Sequence, residues 1–171
     1  MFEEFDEEVF EKMSNEERFE YLNNILEESY NYDVRYHLND TEKEEFDKNK
    51  GILKDMIKKI EQSIYYETIK DLTPHERLRH LNGRIDKLRR ESEQLDETIK
   101  KTRRSERQEL EDKKSAIFHE WAYVLNPLKD KEKPIVEEIE RKEEEERIKQ
   151  AKADFHSWID DYKRDGFIGV I

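Results

Sequence analysis

Residues 74–102, "PHERLRHLNGRIDKLRRESEQLDETIKKT", decide the fold that this sequence predicts. Large apolar side chains recur there at alternating steps of three and four, with one serine among them. The positions are Leu78, Leu81, Ile85, Leu88, Ser92, Leu95 and Ile99. This heptad pattern is typical of a helix that packs against another helix. Thr73 as N-cap, Pro74 at the first helical position and Glu76 at the third indicate where the helix begins.

The residues that follow can supply the partner for this apolar seam. If the chain reverses near Arg104, later apolar residues meet the first helix in antiparallel order, because the paired residue numbers keep a constant sum. The pairs are Ile99 with Leu110, Ser92 with Ile117, Leu88 with Trp121, and Ile85 with Val124. Ser105 with Gln108 indicates the start of the returning helix. We therefore predict a coiled-coil-like antiparallel hairpin of residues 74–102 and 106–125.

An alternative for this region is one continuous helix over residues 74–125. The seam at 78–99 would then close against a second copy of the chain, in a homodimer. The hairpin is favoured because a continuous helix would carry no apolar seam residue between Ile99 and Leu110.

The composition is compatible with long helices around a thin core. Charged residues make up 46% of the 171 residues, and the mean hydropathy is -1.23. The four Gly and three Pro are too few for a fold of strands and turns. The absence of cysteine excludes disulfides and thiolate metal sites. Because no apolar run approaches a membrane span and the first residues are acidic, we expect a cytoplasmic, mainly α protein of elongated shape.

The sequence divides into four parts that we expect to form one structural domain. Residues 1–40 predict an acidic helical arm with a candidate strand, and residues 41–125 a helical core that contains the hairpin. Residues 126–133 predict a connector. Residues 134–171 predict a long charged helix, opened by a proline, with a β-prone tail.

Two further capping boxes and two tryptophans refine this division. Ser14 with Glu17, and Thr41 with Glu44, indicate two more helix starts. Trp121 and Trp158 lie at helical core positions, where packing is expected. Because apolar residues lie at both ends of the last helix, we expect both ends to pack against protein.

One short stretch alternates apolar and polar residues as a strand does. Residues 30–38, "YNYDVRYHL", carry this pattern, and "FIGVI" at 167–171 is also β-prone. Since a single strand is not stable alone, we predict that the two pair in a small two-stranded element. The alternative continues the second helix through 30–38.

Two charged regions are candidate binding sites. The acidic arm combines carboxylates with an amphipathic apolar face and would contact a basic protein surface. Its residues are Phe2, Glu3, Glu4, Phe5, Glu7, Glu8, Phe10 and Glu11. The predicted hairpin tip is basic and could contact phosphate. Its residues are Lys100, Lys101, Arg103, Arg104 and Arg107.

An enzymatic alternative rests on two carboxylate pairs. Glu17 with Glu20, and Glu44 with Asp47, lie three residues apart on successive predicted helices, a spacing that can hold Mg²⁺. These four residues resemble the carboxylates of all-α nucleotide pyrophosphohydrolases of the MazG kind. The resemblance implies Mg²⁺-dependent release of pyrophosphate from nucleoside triphosphates.

No other motif predicts chemistry. The five histidines are scattered without metal-ligand spacing, and no Gly-rich phosphate loop or nucleophile motif occurs. We therefore expect no cofactor, no metal and no enzyme activity. The prediction is a non-enzymatic inhibitor, adaptor or assembly factor that contacts a basic partner through the acidic arm. Its origin is left open between a cell and a phage, and a phage protein would act in the host cytoplasm. The alternatives are nucleic-acid binding by the hairpin tip and a structural coiled-coil oligomer.

Overall fold

The computed structural model describes residues 7–31 and 38–164, and these residues are predominantly helical. The helices are α1 (Glu7–Lys12), α2 (Asn15–Asn31), α3 (Asp40–Ile69), α4 (Pro74–Lys101), α5 (Gln108–His119) and α6 (Asn126–Arg164). A 3-10 turn, Arg104–Glu106, precedes α5, and a π-helix, Glu120–Leu125, joins α5 to α6. The predicted mainly α fold is confirmed, and no strand occurs within the two described ranges.

Helices α4 and α5 form the predicted antiparallel hairpin, so the continuous helix over 74–125 is wrong. The guanidinium of Arg107 closes the turn, because its Nε donates to the carbonyl oxygen of Thr102 at 2.8 Å. Farther along, Arg84 donates two hydrogen bonds to the carboxylate of Glu120, at 2.7 and 2.8 Å. This bidentate contact raises the pKa of the Arg84 guanidinium and fixes the register of the two helices.

The apolar seam of the hairpin is filled from within the same chain. Its buried cluster combines residues of α3, α4, the π-helix and α6, which are Ile69, Leu81, Ile85, Leu88, Val124, Leu125 and Leu128. Leu81 and Leu88 are almost fully buried there, so this part of the seam packs within the chain. Leu95 and Ile99 are only partly buried, and a homodimer through the 78–99 seam stays a prediction.

Two helix starts follow the predicted capping boxes, and two do not. Thr73 with Glu76 and Ser14 with Glu17 form the expected reciprocal hydrogen bonds. The predicted cap at Thr41 is wrong, because Asn39 caps α3 with Glu42. Asparagine ranks among the best N-caps, so the helix begins two residues earlier. The predicted Ser105 cap is also wrong, since this residue lies inside the 3-10 turn and α5 has no side-chain cap.

Helices α2 and α3 form a second antiparallel pair with its own core. Leu22 of α2 is buried with Leu53 and Ile57 of α3. At one end of the pair Tyr30 lies under Lys50, whose Nζ is 3.3 Å from the ring centroid. Helix α3 contributes to both cores, because its last turns carry Ile69 into the hairpin cluster. It passes Gly51 without the break that this residue could have caused.

Pro127 explains the π-helix between α5 and α6. In an α-helix the carbonyl oxygen of Tyr123 would accept from the N–H of residue 127, but proline has none. The chain widens locally, and the N–H of Asn126 bonds to the carbonyl oxygen of Trp121, five residues earlier. The side chain of Gln62 supplies the missing donor to Tyr123, at 2.8 Å. A residue of α3 therefore donates the hydrogen bond to Tyr123 that Pro127 cannot donate.

The predicted connector at 126–133 is wrong, because these residues are the first two turns of α6. Pro134 does not open this helix; it lies inside it, with an exposed side chain. An interior proline costs about 3 kcal/mol of helix stability in isolation. Buried contacts of Leu128, Glu132 and Val136 on the other face hold the segment helical despite that cost.

The predicted two-stranded element falls largely outside the described residues. Tyr30 and Asn31, the first two residues of the predicted strand, are helical in α2. Residues 32–37 and the tail at 167–171 lie outside the two described ranges.

Candidate binding surfaces

The outer half of α6 carries exposed apolar side chains on one face. All residues from 140 to 158 are exposed. Ile148 is 47% exposed, Phe155 57% and Trp158 62%. Phe155 lies seven residues after Ile148, and Trp158 and Ile159 lie three and four residues after Phe155, which places all four on one side of a helix. We call this set, Ile148, Phe155, Trp158 and Ile159, the distal apolar face.

Two expectations about the tryptophans are corrected by this geometry. Trp158 was expected in a core, but its side chain is exposed, as is that of Phe155, so the predicted burial of these two residues is wrong. Trp121 was expected in the hairpin seam, but it is 38% exposed. The π-helix adds a residue to the turn at this point, and Val124 and Leu125 take the buried positions instead.

A small pocket opens in the hairpin where Ser92 interrupts the seam. Its volume is about 150 Å³, and its walls include Leu88, Ser92, Ile117 and Trp121. The ring of Phe118, 52% exposed, packs edge-on against Trp121 at its rim, with 6.0 Å between ring centroids. A serine leaves unfilled the volume that a leucine would occupy at this seam position, which accounts for the pocket.

A larger cleft, about 590 Å³, lies between the start of α2, the end of α3 and the start of α6. Beside it, the buried carboxylate of Glu132 faces Arg77 of α4, with Oε1 and Nε 2.9 Å apart. These atoms are close enough for an ion pair but are not aligned for a hydrogen bond, and Oε2 has no hydrogen-bond partner among the described residues. Arg77 also donates to the carbonyl oxygen of Leu72 at 2.6 Å. The pair therefore ties α6 to the α3–α4 turn.

The part of the acidic arm that the structure describes packs on its own chain. The ring of Phe10 lies 6.1 Å from that of Tyr21, beside the α2–α3 core. Arg18 covers this ring at 5.3 Å and donates to the carbonyl oxygens of Phe10 and Glu11. Glu8 and Glu11 are exposed in α1, which begins at Glu7. Of the other predicted arm residues, Phe2, Glu3, Glu4 and Phe5 lie outside the described ranges.

The basic residues of the predicted tip gather at the hairpin turn. Lys100, Lys101, Arg103 and Arg104 are exposed there, and none forms an ion pair with a residue in the described ranges. Arg107 is half-buried because it closes the turn. Four of the five predicted side chains are thus presented to solvent together.

The two carboxylate pairs of the enzymatic alternative do not come together. Because α2 and α3 are antiparallel, the start of α2 lies beside Gln62 and Ser63 of α3. Glu44 and Asp47 lie near the opposite end of α3, about 20 Å away along the helix axis. No group of three or more candidate metal ligands occurs in the part of the chain that the structure describes.

The sequence predicted that the aromatic residues of the outer α6 pack within the protein, and it did not predict that they form an exposed face. The signal was present, because Ile148, Phe155 and Ile159 follow helical spacing without an obvious partner segment. Only the positions of α3 and α4 show that neither helix reaches them. In the described ranges no helix is long and apolar enough to cross a membrane.

Comparison of the chain with family models, with curated proteins and with solved structures gave no match.

Proposed function

We propose that this protein has no enzymatic activity and works by binding another protein, as an adaptor, inhibitor or assembly factor. The observation that supports this function is the distal apolar face. A projecting helix could remain soluble with polar residues on every side, as residues 140–147 do. Beyond them, three large apolar residues stand about half exposed on one side of the helix.

The energy available at this face fits a protein interface. Burying a large apolar side chain contributes about 1.5–3 kcal/mol. Interfaces draw most of their affinity from a few residues of this kind, with tryptophan prominent among them. Phe155 and Trp158 already stack at 6.2 Å between ring centroids, so a partner would meet a preformed aromatic surface.

The test is affinity capture with the full chain and two variants of equal aromatic loss. Phe155→Ala with Trp158→Ala removes the centre of the distal apolar face. Phe118→Ala with Trp121→Ala removes an exposed aromatic pair on the hairpin and serves as the matched control. We expect one protein, present in near-stoichiometric amount after nuclease treatment, to be lost with the first variant and kept with the second. Equal recovery with both variants would rule out the distal apolar face as the binding site.

A second candidate function is nucleic-acid binding at the hairpin tip. It is favoured by four exposed cations that have no ion pair within the described ranges, namely Lys100, Lys101, Arg103 and Arg104. Affinity should then fall steeply with salt, and Arg103→Ala with Arg104→Ala should flatten that dependence. A salt slope unchanged by this variant would argue against the tip.

Contact of the acidic arm with a basic partner stays a prediction. Charge reversal of Glu3, Glu4, Glu7, Glu8 and Glu11 tests it by the rate of association with the captured protein.

A further inference from the structure

The ion pairs along α6 stop where the distal apolar face begins. From residue 133 to residue 147 every basic side chain of α6 has an acidic partner within the helix, whereas Lys129 and Lys131 before them form no ion pair with a described residue. The pairs are Lys133 with Glu137, Arg141 with Glu138 and Glu145, Lys142 with Glu138, and Arg147 with Glu144. The hydrogen bonds from Arg141 and Lys142 lower the pKa of Glu138, as expected for a carboxylate between two cations.

The next two lysines break this rule. Lys149 and Lys152 are exposed, and neither makes an ion pair or hydrogen bond with another residue that the structure describes. With His156 they follow at steps of three and four, which is the spacing of one edge of a helix. Lys149 and His156 each come one residue after a member of the distal apolar face, Ile148 and Phe155. This edge is therefore basic over residues 149–156, and it is bounded by Glu145, which pairs with Arg141, and by Asp160.

The opposite edge differs in charge and in its contacts. Asp154 comes one residue before Phe155 and accepts a hydrogen bond from Gln150 at 2.7 Å. Arg147 comes one residue before Ile148 and is paired with Glu144 at 3.4 Å. The charges on this edge thus have partners within the helix, whereas the lysines on the other edge do not.

We propose that the distal apolar face takes an amphipathic helix of a partner protein whose apolar stripe is bordered by aspartate or glutamate. This inference rests on the proposed protein-binding function and specifies the partner. Apolar residues at helical spacing are matched by a second helix, because its own apolar stripe presents the same spacing. Lys149 and Lys152 then supply charge complementarity, which selects an acidic border over a basic one.

The test uses the full chain and two synthetic helical peptides with the same leucine stripe, about 25 residues long so that they can be helical in water. One peptide carries glutamate along both borders, and the other carries lysine. Binding is followed by fluorescence anisotropy of the labelled peptide. We expect the glutamate peptide to bind at least about tenfold more tightly, and Lys149→Glu with Lys152→Glu to reverse the preference.

Two controls separate this inference from the function on which it rests. Lys100→Glu with Lys101→Glu makes the same change of net charge at the hairpin turn and should leave the preference intact. Phe155→Ala with Trp158→Ala should abolish binding of both peptides; because these side chains are exposed, the variant keeps its fold, which circular dichroism checks.

Three outcomes would overturn the proposal. Equal affinity for the two peptides would contradict the proposed acidic border of the partner helix, but it would not contradict protein binding by this face. Binding of neither peptide would show that the face does not take a helix of this kind. A concentration-dependent dimer in sedimentation, lost with Phe155→Ala and Trp158→Ala, would instead assign the face to a second copy of this chain.

Discussion

The two halves of α6 both carry large apolar residues at helical spacing, but their surroundings differ. In the inner half Leu128, Glu132 and Val136 are buried against neighbouring helices. In the outer half Ile148, Phe155 and Trp158 recur at comparable spacing but stand exposed. An apolar pattern therefore specifies a helical face, whereas burial of that face depends on whether another segment of the chain lies beside it.

The largest expected effect concerns the one buried carboxylate of α6 among the described residues. Glu132→Ala leaves the Arg77 guanidinium buried beside no carboxylate, and breaking a buried ion pair in this way costs about 3–5 kcal/mol. Urea denaturation followed by circular dichroism measures the loss. The matched control is Glu138→Ala, which removes a partly exposed glutamate of the same helix that pairs with Arg141. If the two variants lose equal stability, the inner half of α6 is not held as described.

A pair of apolar truncations compares the two halves directly. Leu128→Ala removes a side chain from the hairpin cluster and should cost about 2–5 kcal/mol through lost burial and the cavity left behind. Ile148→Ala removes a half-exposed side chain and should change stability by less than about 0.5 kcal/mol. Both free energies of unfolding come from the same denaturation experiment. A large loss for Ile148→Ala would mean that the outer half packs within the protein.

Filling the hairpin pocket should show whether the gap at Ser92 lowers the stability of the fold. Ser92→Leu places an apolar side chain opposite Ile117 and should raise stability by about 0.5–2 kcal/mol. Thermal unfolding measures the change, with Ser115→Leu on the exposed side of α5 as the control for added apolar surface. A destabilised Ser92→Leu variant would show that the pocket cannot accept the larger side chain.

The smallest expected effect is a dependence on pH at the start of α4. Hydrogen bonds from the backbone N–H and hydroxyl of Thr73 lower the pKa of Glu76 below its ordinary value of 4.5. Since the folded-state pKa is the lower one, this contribution is present above about pH 4.5 and is lost as the pH falls through the lowered value.

Glu76→Gln tests this contribution by thermal unfolding between neutral and acidic pH. The variant should be slightly less stable at neutral pH, and its difference from the wild-type chain should shrink as the pH falls. A difference that is constant across this range would mean that the carboxylate charge plays no part in the cap.

Much of the hairpin follows from local patterns. The heptad positions from Leu78 to Ile99 and the cap at Thr73 depend on residues close in sequence, and both predicted the observed helix. The antiparallel pairing followed as well, because a reversal near Arg104 offered one consistent register. The capping box at Ser14 is equally local.

Pro127 and Pro134 show where local sequence patterns fail to predict the structure. Proline predicted a connector, since alone it disfavours a helix interior. In the fold, Gln62 from a distant part of the sequence bonds the carbonyl that Pro127 leaves without a donor, and buried neighbours hold the turns around Pro134. No local property of residues 126–133 contains this information.

The sequence by itself thus determined the mainly α class, the hairpin and its seam, because helical periodicity and capping act over a few residues. Only the tertiary structure decided that α5, the π-helix and α6 follow one another without a connector, that Trp121 and Trp158 are exposed, and that Glu17 and Glu44 lie far apart. The physical reason is that burial and proximity depend on which segments share space, and a side chain's own spacing does not specify its neighbour.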